Sequence, residues 1–292
     1  MKSNCLPKRV LRHQDVAQLY AAARHITTPC GKGRLVWKTW GEGNDSIVVL
    51  LHGGSGSWVH WVRNIAELVR CGYQVHIPDL PGFGASSLPP VGFDADAHVE
   101  WILLGLEKLL DSKSCSLVGF SFGAMVAALA AAQGPAIVDR LVLVGAPALV
   151  AAGRSRVNIK DWRALADEEQ VRQAHRHNLR TIMLARDESV SDLAVDLFRA
   201  DAALDRIPQR RLFKTDILSR QMPFLQCPVW GIWGGEDALH RGDMEAIRKS
   251  LAKATKFKEL VVIADAGHWV QFESSERFNQ VLCSILQSSI QG

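Results

Sequence analysis

The chain has 292 residues, 48% of them hydrophobic and 22% charged, with 34 basic against 30 acidic side chains. Proportions this near the globular average exclude a disordered, collagen-like or coiled-coil chain, and a net charge of +4 without a basic run of five gives no basis for nucleic-acid binding. The longest apolar run, Ala124 to Ala132, is less than half of the ~20 residues a bilayer-spanning helix needs, so no membrane partner is expected.

The N-terminal stretch from Met1 to Arg9 is polar and lacks the apolar segment of a secretory signal, which makes a cytoplasmic location the expectation. Cys5, Cys30, Cys71, Cys115, Cys227 and Cys283 include no C-x-x-C pair, so neither a structural zinc site nor a redox motif is expected and all six read as unbridged thiols. Apolar or β-branched runs then recur along the chain. They cover Leu35 to Trp40, Ile47 to Leu51, Gln74 to Ile77, Cys115 to Gly119, Leu141 to Gly145, Val229 to Trp233 and Leu260 to Ile263. The later runs are continuously apolar, as in strands buried on both faces of a parallel sheet. Helical spacing fills the gaps over Trp58 to Arg70, Asp94 to Asp111, Phe122 to Gln133, Asp243 to Ala254 and Ser274 to Leu286. This βαβα alternation predicts an α/β fold with a helix-covered parallel sheet and a ligand site beyond the carboxyl ends of the strands.

From about Val150 to Met222 no strand pattern appears. The segment reads as an all-helical insertion, placed as a lid over that edge. The expected division is a core domain over 1–149 and 223–292 with the insertion, 150–222, between its two parts.

Gly119-Phe120-Ser121-Phe122-Gly123 joins a strand to a helix, the setting in which this pattern forms a nucleophile elbow. A serine hydroxyl needs a base to take its proton and an acid to fix that base's tautomer. Of the ten histidines, His268 follows the last strand and precedes the last helix. Asp237, after the strand Val229 to Trp233, is the favoured acid, with Glu236 the runner-up and Asp265 too close to His268 in one short loop. His52 opens a Gly-rich loop ahead of the serine and reads as a structural hydrogen-bonding residue. For the oxyanion, the amide of Phe122 is one donor and that of Gly54 the second, with Ser55 in reserve. No P-loop or dinucleotide fingerprint is present.

His52-Gly53-Gly54, Asp79-Leu80-Pro81-Gly82-Phe83-Gly84-Ala85-Ser86, Gly119-x-Ser121-x-Gly123, Gly235-Glu236-Asp237 and Gly267-His268, in this order, resemble the α/β-hydrolase superfamily with an inserted helical cap. Gly267-His268-Trp269-Val270-Gln271-Phe272-Glu273 with Phe278-Asn279, and Trp58 with Arg63-Asn64-Ile65, is similar to the meta-cleavage-product hydrolases, which cut C–C bonds in ring-fission products of aromatic degradation. The resemblance implies a Ser121, Asp237, His268 triad acting without metal or organic cofactor on a small-molecule substrate. It makes Arg199, after Ser191-Asp192, the arginine for a substrate carboxylate, and Trp269, His60 and Phe120 pocket residues; His60 and Phe120 stand where that group carries Asn. Asp79 to Ser86 reads as a structural turn. Three functions stay open: a C–C hydrolase, a carboxylesterase, and a non-catalytic ligand receptor on the same fold. The oligomeric state, a homo-oligomer included, is open too.

Overall fold

The computed structural model describes residues 7–150 and 157–289; Cys5 and residues 151–156 of the expected insertion lie outside them. Eight strands form one sheet: β1 (Arg24–Cys30), β2 (Gly33–Trp40), β3 (Ser46–Leu51), β4 (Tyr73–Asp79), β5 (Cys115–Phe120), β6 (Val138–Val144), β7 (Val229–Gly234) and β8 (Phe257–Ile263). Their order is β1-β2-β4-β3-β5-β6-β7-β8, with β2 antiparallel to both β1 and β4 and every later pairing parallel. The expected parallel sheet is therefore present, with an antiparallel edge added at its amino-terminal side.

Alternation along the strands divides the core in two. Val49 and Leu51 of β3 and Leu117 of β5 face the helices Asp96–Leu110 and Phe122–Gln133. Val48, Leu50 and Val118 face the other way, toward the helices Ile65–Arg70 and Ser275–Gln287. A Leu or Val buried in either layer contributes about 1.5–3 kcal/mol relative to exposure. The helix Phe122–Gln133 is buried from Phe122 to Ala131 on every side, and its alanines allow close approach to β5.

Strand β1 is absent from the sequence expectation because it sits at the sheet edge, carries Pro29 and exposes most of its length. One expected helix is interrupted. Trp58 to Arg70 divides into a 3₁₀ turn, Trp58–Trp61, and the helix Ile65–Arg70, because Asn64 turns its amide to Gln271 O (3.0 Å) and Asn279 Oδ1 (2.7 Å). The last expected helix, Ser274 to Leu286, is present as Ser275–Gln287, preceded by a short helix, Val270–Glu273.

Between β6 and β7 the described residues contain no strand. The helices there are Glu168–Asn178, Asp192–Ala202 and Ile217–Gln221, the first two capped by Asp167 and Ser191, whose side chains accept the Gln170 and Ala194 amides. Among the described residues no helix is long and apolar enough to cross a membrane.

Candidate active site

Strand β5 ends at Phe120, and the helix that follows starts at Phe122, so Ser121 carries the whole change of direction. Its backbone lies at φ +51°, ψ −115°, a left-handed conformation that costs a non-glycine residue about 1–3 kcal/mol. The glycines on either side make this turn physically available. A β-carbon on Gly119 would stand 2.5 Å from Ala124 Cα, and one on Gly123 would stand 2.4 Å from His52 O, contacts that side chains do not make. The turn leaves Ser121 partly accessible at the carboxyl edge of the sheet.

His268 comes from the loop after β8, and its Nε2 lies 2.9 Å from Ser121 Oγ. Asp237, from the turn after β7, accepts the His268 Nδ1–H at 2.8 Å through Oδ2. A carboxylate can only accept, so this bond fixes the tautomer that leaves Nε2 free to take the serine proton. Burial works against ionisation of Asp237, but His268 and His240 outweigh it and hold the carboxyl below the ordinary carboxylate range. Its other oxygen accepts the Leu239 amide at 2.9 Å. The rival acids are elsewhere: Glu236 pairs with Arg241, and Asp265 is exposed.

On the opposite side of Ser121, His52 donates through Nδ1–H to Gly53 O (2.8 Å) and accepts the Leu80 amide on Nε2 (2.8 Å). Burial lowers its pKa to about 4, so it is a neutral strut. The Gly53 amide donates to His60 Nδ1 at 3.2 Å. Gly54 faces Phe122: a β-carbon there would stand 3.7 Å from Phe122 Cβ. The Phe122 amide, in the first turn of its helix, has no carbonyl within that helix to bond and points out of the N-terminus.

Of the other expected pocket residues, His60, Phe120 and Trp269 form a buried layer beneath the triad. Phe120 lies 5.0 Å from the His268 ring and 5.4 Å from His60, and Trp269 donates its indole N–H to His60 O at 3.0 Å and stacks on Phe272. All three are at most 1% exposed, so they support the site from behind. Arg199 departs from the expectation: its guanidinium forks onto Glu168 at 2.5 and 2.6 Å, within the helical segment. The largely buried Arg199 side chain reaches the exposed Glu168 carboxylate, at the first turn of the helix Glu168–Asn178, and so is already paired. Asp79 ties the expected turn together, pairing with Lys38 at 3.1 Å and accepting the amides of Ala85 (3.1 Å) and Trp58 (3.3 Å).

Three side chains at the site carry no strong sequence signal. His240 Nδ1 lies 3.0 Å from Asp237 Oδ2, so two imidazoles share one carboxylate oxygen; the i, i+3 turn Asp237 to His240 is the hint. Asp237, His240 and His268 are spaced closely enough for a metal ion, but the chain of bonds running to Ser121 already uses the same atoms. Glu273, with its side chain fully buried, accepts the amides of Gly267 (2.6 Å), Arg186 (2.8 Å) and Ala185 (2.9 and 3.0 Å), which joins the His268 loop to the helical segment. Arg210 lies in irregular chain that no periodicity marks. Its Nη1 is 3.2 Å from where a β-carbon on Gly54 would stand, its guanidinium sits over the Phe83 and Phe122 rings at 5.1 and 5.6 Å, and its Nε is buried without a partner. Asp205 pairs with Arg210 and also accepts Ser55 Oγ at 2.5 Å. Two clefts elsewhere on the molecule, of about 500 and 660 Å³, contain none of these residues; chemistry and geometry locate the site.

Residues 48–281 match the model of the alpha/beta hydrolase family. The chain belongs to that family. Among curated relatives, this hydrolase is 30% identical over 271 residues to a 2-hydroxy-6-oxononadienedioate/2-hydroxy-6-oxononatrienedioate hydrolase of Escherichia coli O81 (strain ED1a), covering 87% of this chain and 91% of the relative. Among solved structures, it superposes on a mutant of the meta-cleavage product hydrolase CumD with a TM-score of 0.72 at 24% identity over 90% of this chain and 98% of that one. Carboxylesterase CesB from Bacillus subtilis gives a TM-score of 0.77 at 17% identity over 97% and 100%. At such identities these two structures establish the fold: a mostly parallel sheet flanked by helices. The chain is a hydrolase resembling the meta-cleavage product hydrolases.

Proposed function

We propose that the hydrolase acts through Ser121 on a ring-fission product, a 2-hydroxy-6-oxo-dienoic acid, and cleaves its C–C bond. The observation that carries this reading is the unbroken bond chain from Asp237 through His268 to Ser121, 2.8 and 2.9 Å long, ending on a serine at a left-handed elbow. The bound dienol first ketonises, losing its 2-hydroxyl proton and gaining one at C5; Ser121 Oγ then adds to the 6-oxo carbon as its proton passes to His268 Nε2, and Asp237 stabilises the imidazolium that forms. The amides of Phe122 and Gly54 receive the oxyanion. Collapse of the tetrahedral intermediate releases the conjugated acid as an enolate-type leaving group, protonated from His268, and water then frees the acyl chain from Ser121 by the reverse proton path. Conjugation makes a carbon leaving group accessible, which suits this substrate class better than a simple ketone. The helical segment between β6 and β7 acts as the cap, excluding water from the reacting centre.

Arg210 supports an anionic substrate, because free donors of its guanidinium lie beside Gly54 and Phe122 while Arg199 is committed to Glu168. A second reading, a carboxylesterase for neutral acyl groups, is favoured by Asp205, which already offsets the Arg210 charge.

Steady-state assays separate these readings. The wild type should consume a 2-hydroxy-6-oxo-dienoate, followed by loss of its chromophore. Arg210→Gln should lower kcat/KM for that acid by about 10- to 150-fold, equivalent to a charge-assisted bond of about 1.5–3 kcal/mol. Cleavage of p-nitrophenyl esters alone would establish the esterase, and turnover of neither substrate would leave the receptor.

A further inference from the structure

Away from the triad, Cys71 and Cys283 lie 212 positions apart in sequence, yet their sulfurs are 2.8 Å from each other. That separation is less than 1 Å beyond a disulfide bond of about 2.05 Å, so closure asks for little more than side-chain rotation. Cys71 ends the helix Ile65–Arg70 and is partly exposed; Cys283 is buried within Ser275–Gln287. All five described cysteines are free, and Cys30, Cys115 and Cys227 are buried.

The surroundings distinguish the two thiols. Cys71 Sγ lies 3.9 Å from Glu67 Oε1, and Arg70 holds Glu67 through Nε at 2.9 Å. Cys283 is held as a thiol, its pKa pushed up to about 12 by burial first and by Cys71 second. Glu67, Cys71 and Cys283 also approach the spacing of a metal site, but Arg70 already grips both Glu67 oxygens and would oppose a divalent cation there.

We infer that Cys71 and Cys283 are a redox modification site, a dithiol that a small-molecule disulfide such as oxidised glutathione converts to an intramolecular disulfide. The Cys71 thiolate attacks one sulfur of the glutathione disulfide and expels one glutathione thiolate, leaving a mixed disulfide on Cys71. Cys283, losing its proton, then attacks Cys71 Sγ and expels the second glutathione. Two protein S–H bonds are lost and one S–S bond is formed; the two electrons reside on the two reduced glutathiones. The new bond would join the helix behind the His60 turn to the helix behind the His268 loop, two segments already tied by Asn64 to Gln271 O and by Arg63 to Phe272 O (2.8 Å). It therefore fastens the scaffold without touching a reacting group, and its main effect should be on stability.

The test exposes the whole chain, folded, to oxidised glutathione. The thiol titre should fall from six to four, the intact mass should drop by two hydrogens, and a Cys71–Cys283 linked peptide should appear and vanish with dithiothreitol. The Tm should rise by roughly 5–10 °C on oxidation. Cys283→Ser should instead accumulate a glutathione adduct on Cys71, with no such rise. An unchanged thiol titre, linkage of other cysteines, or a glutathione adduct persisting on wild-type Cys71 would overturn the inference. So would stoichiometric Zn²⁺ binding that blocks oxidation and is lost in Cys71→Ser. The wild-type measurements decide the question even if a variant fails to fold.

Discussion

The carboxyl edge of the sheet and the helical segment between β6 and β7 share the apolar core but differ in how much ion pairing is added to it. At the sheet edge, Ser121, Asp237 and His268 each follow a parallel strand whose interior is apolar, so the backbone ladder and the two core layers set their spacing. In the helical segment Leu179, Leu184, Val195 and Leu197 join one of these apolar layers, and ionic ties are added to them. Asp196, nearly buried, collects Arg12, His13 and Arg172, while Asp192 takes Arg172 and Arg176 and Glu168 takes Arg199. An ion pair with an exposed partner, such as Arg199–Glu168, is worth only about 0–1 kcal/mol and can be exchanged, whereas the buried Asp196 depends on its cations. The contrast teaches that backbone ladder and apolar packing place the side chains at the sheet edge, and that charges in the helical segment reveal little about a substrate until their partners are known.

Substitutions that break this contrast should fall in a clear order. Ser121→Ala should be the most severe, with a loss approaching ~10⁶-fold in kcat and of labelling by a fluorophosphonate. Retention of either would remove Ser121 from the chemistry. Next comes Asp237→Asn, which allows the wrong imidazole tautomer; kcat should fall by about 10⁴-fold, with Glu236→Gln and Asp265→Asn close to wild type. If Asp265→Asn proved the crippled variant, the strand-end logic would be wrong. Arg199→Ala should change kcat/KM for a ring-fission acid less than about twofold, since its partner is an exposed Glu168. A loss as large as that expected for Arg210→Gln would return the carboxylate role to Arg199.

The smallest effect concerns stability. Asp201 is fully buried; it accepts Ser57 Oγ at 2.7 Å, and its Oδ2 has no partner. Burial raises its pKa well above the ordinary value, so the folded protein prefers the protonated acid. Stability should therefore be highest below the ordinary carboxylate pKa and decline as pH rises from there toward the raised value. Asp201→Asn keeps the bond without the titration. Its Tm should match wild type in acid and exceed it at neutral pH, and parallel curves would contradict the account. Asp237 should show the opposite sign, its contribution being complete above the ordinary carboxylate range and lost as pH falls below it.

Where hydrophobic burial decides structure, the sequence was readable: the parallel strands, the helix Phe122–Gln133 and the elbow between them follow from continuous apolar runs and from glycines at close contacts. Bonds between distant polar groups were not. Arg199 sits in a motif that resembles a carboxylate site, yet Glu168, 31 positions earlier, holds it. Arg210 and Asp205 occur in irregular chain, and nothing periodic announces that they meet Ser55 and Gly54. The break at Asn64 was equally hidden, because its partners, Gln271 and Asn279, lie more than 200 positions away.

The backbone of Ser121 has a consequence for how this chain can evolve. A residue at φ +51° other than glycine is retained at a cost of about 1–3 kcal/mol, so Ser121→Gly should melt at a higher temperature than the wild type although it has no nucleophile. On the proposed mechanism, selection for robustness alone would erase the serine, and selection for turnover keeps it. Any lineage released from its substrate should drift first at this position, toward a sturdier and silent protein.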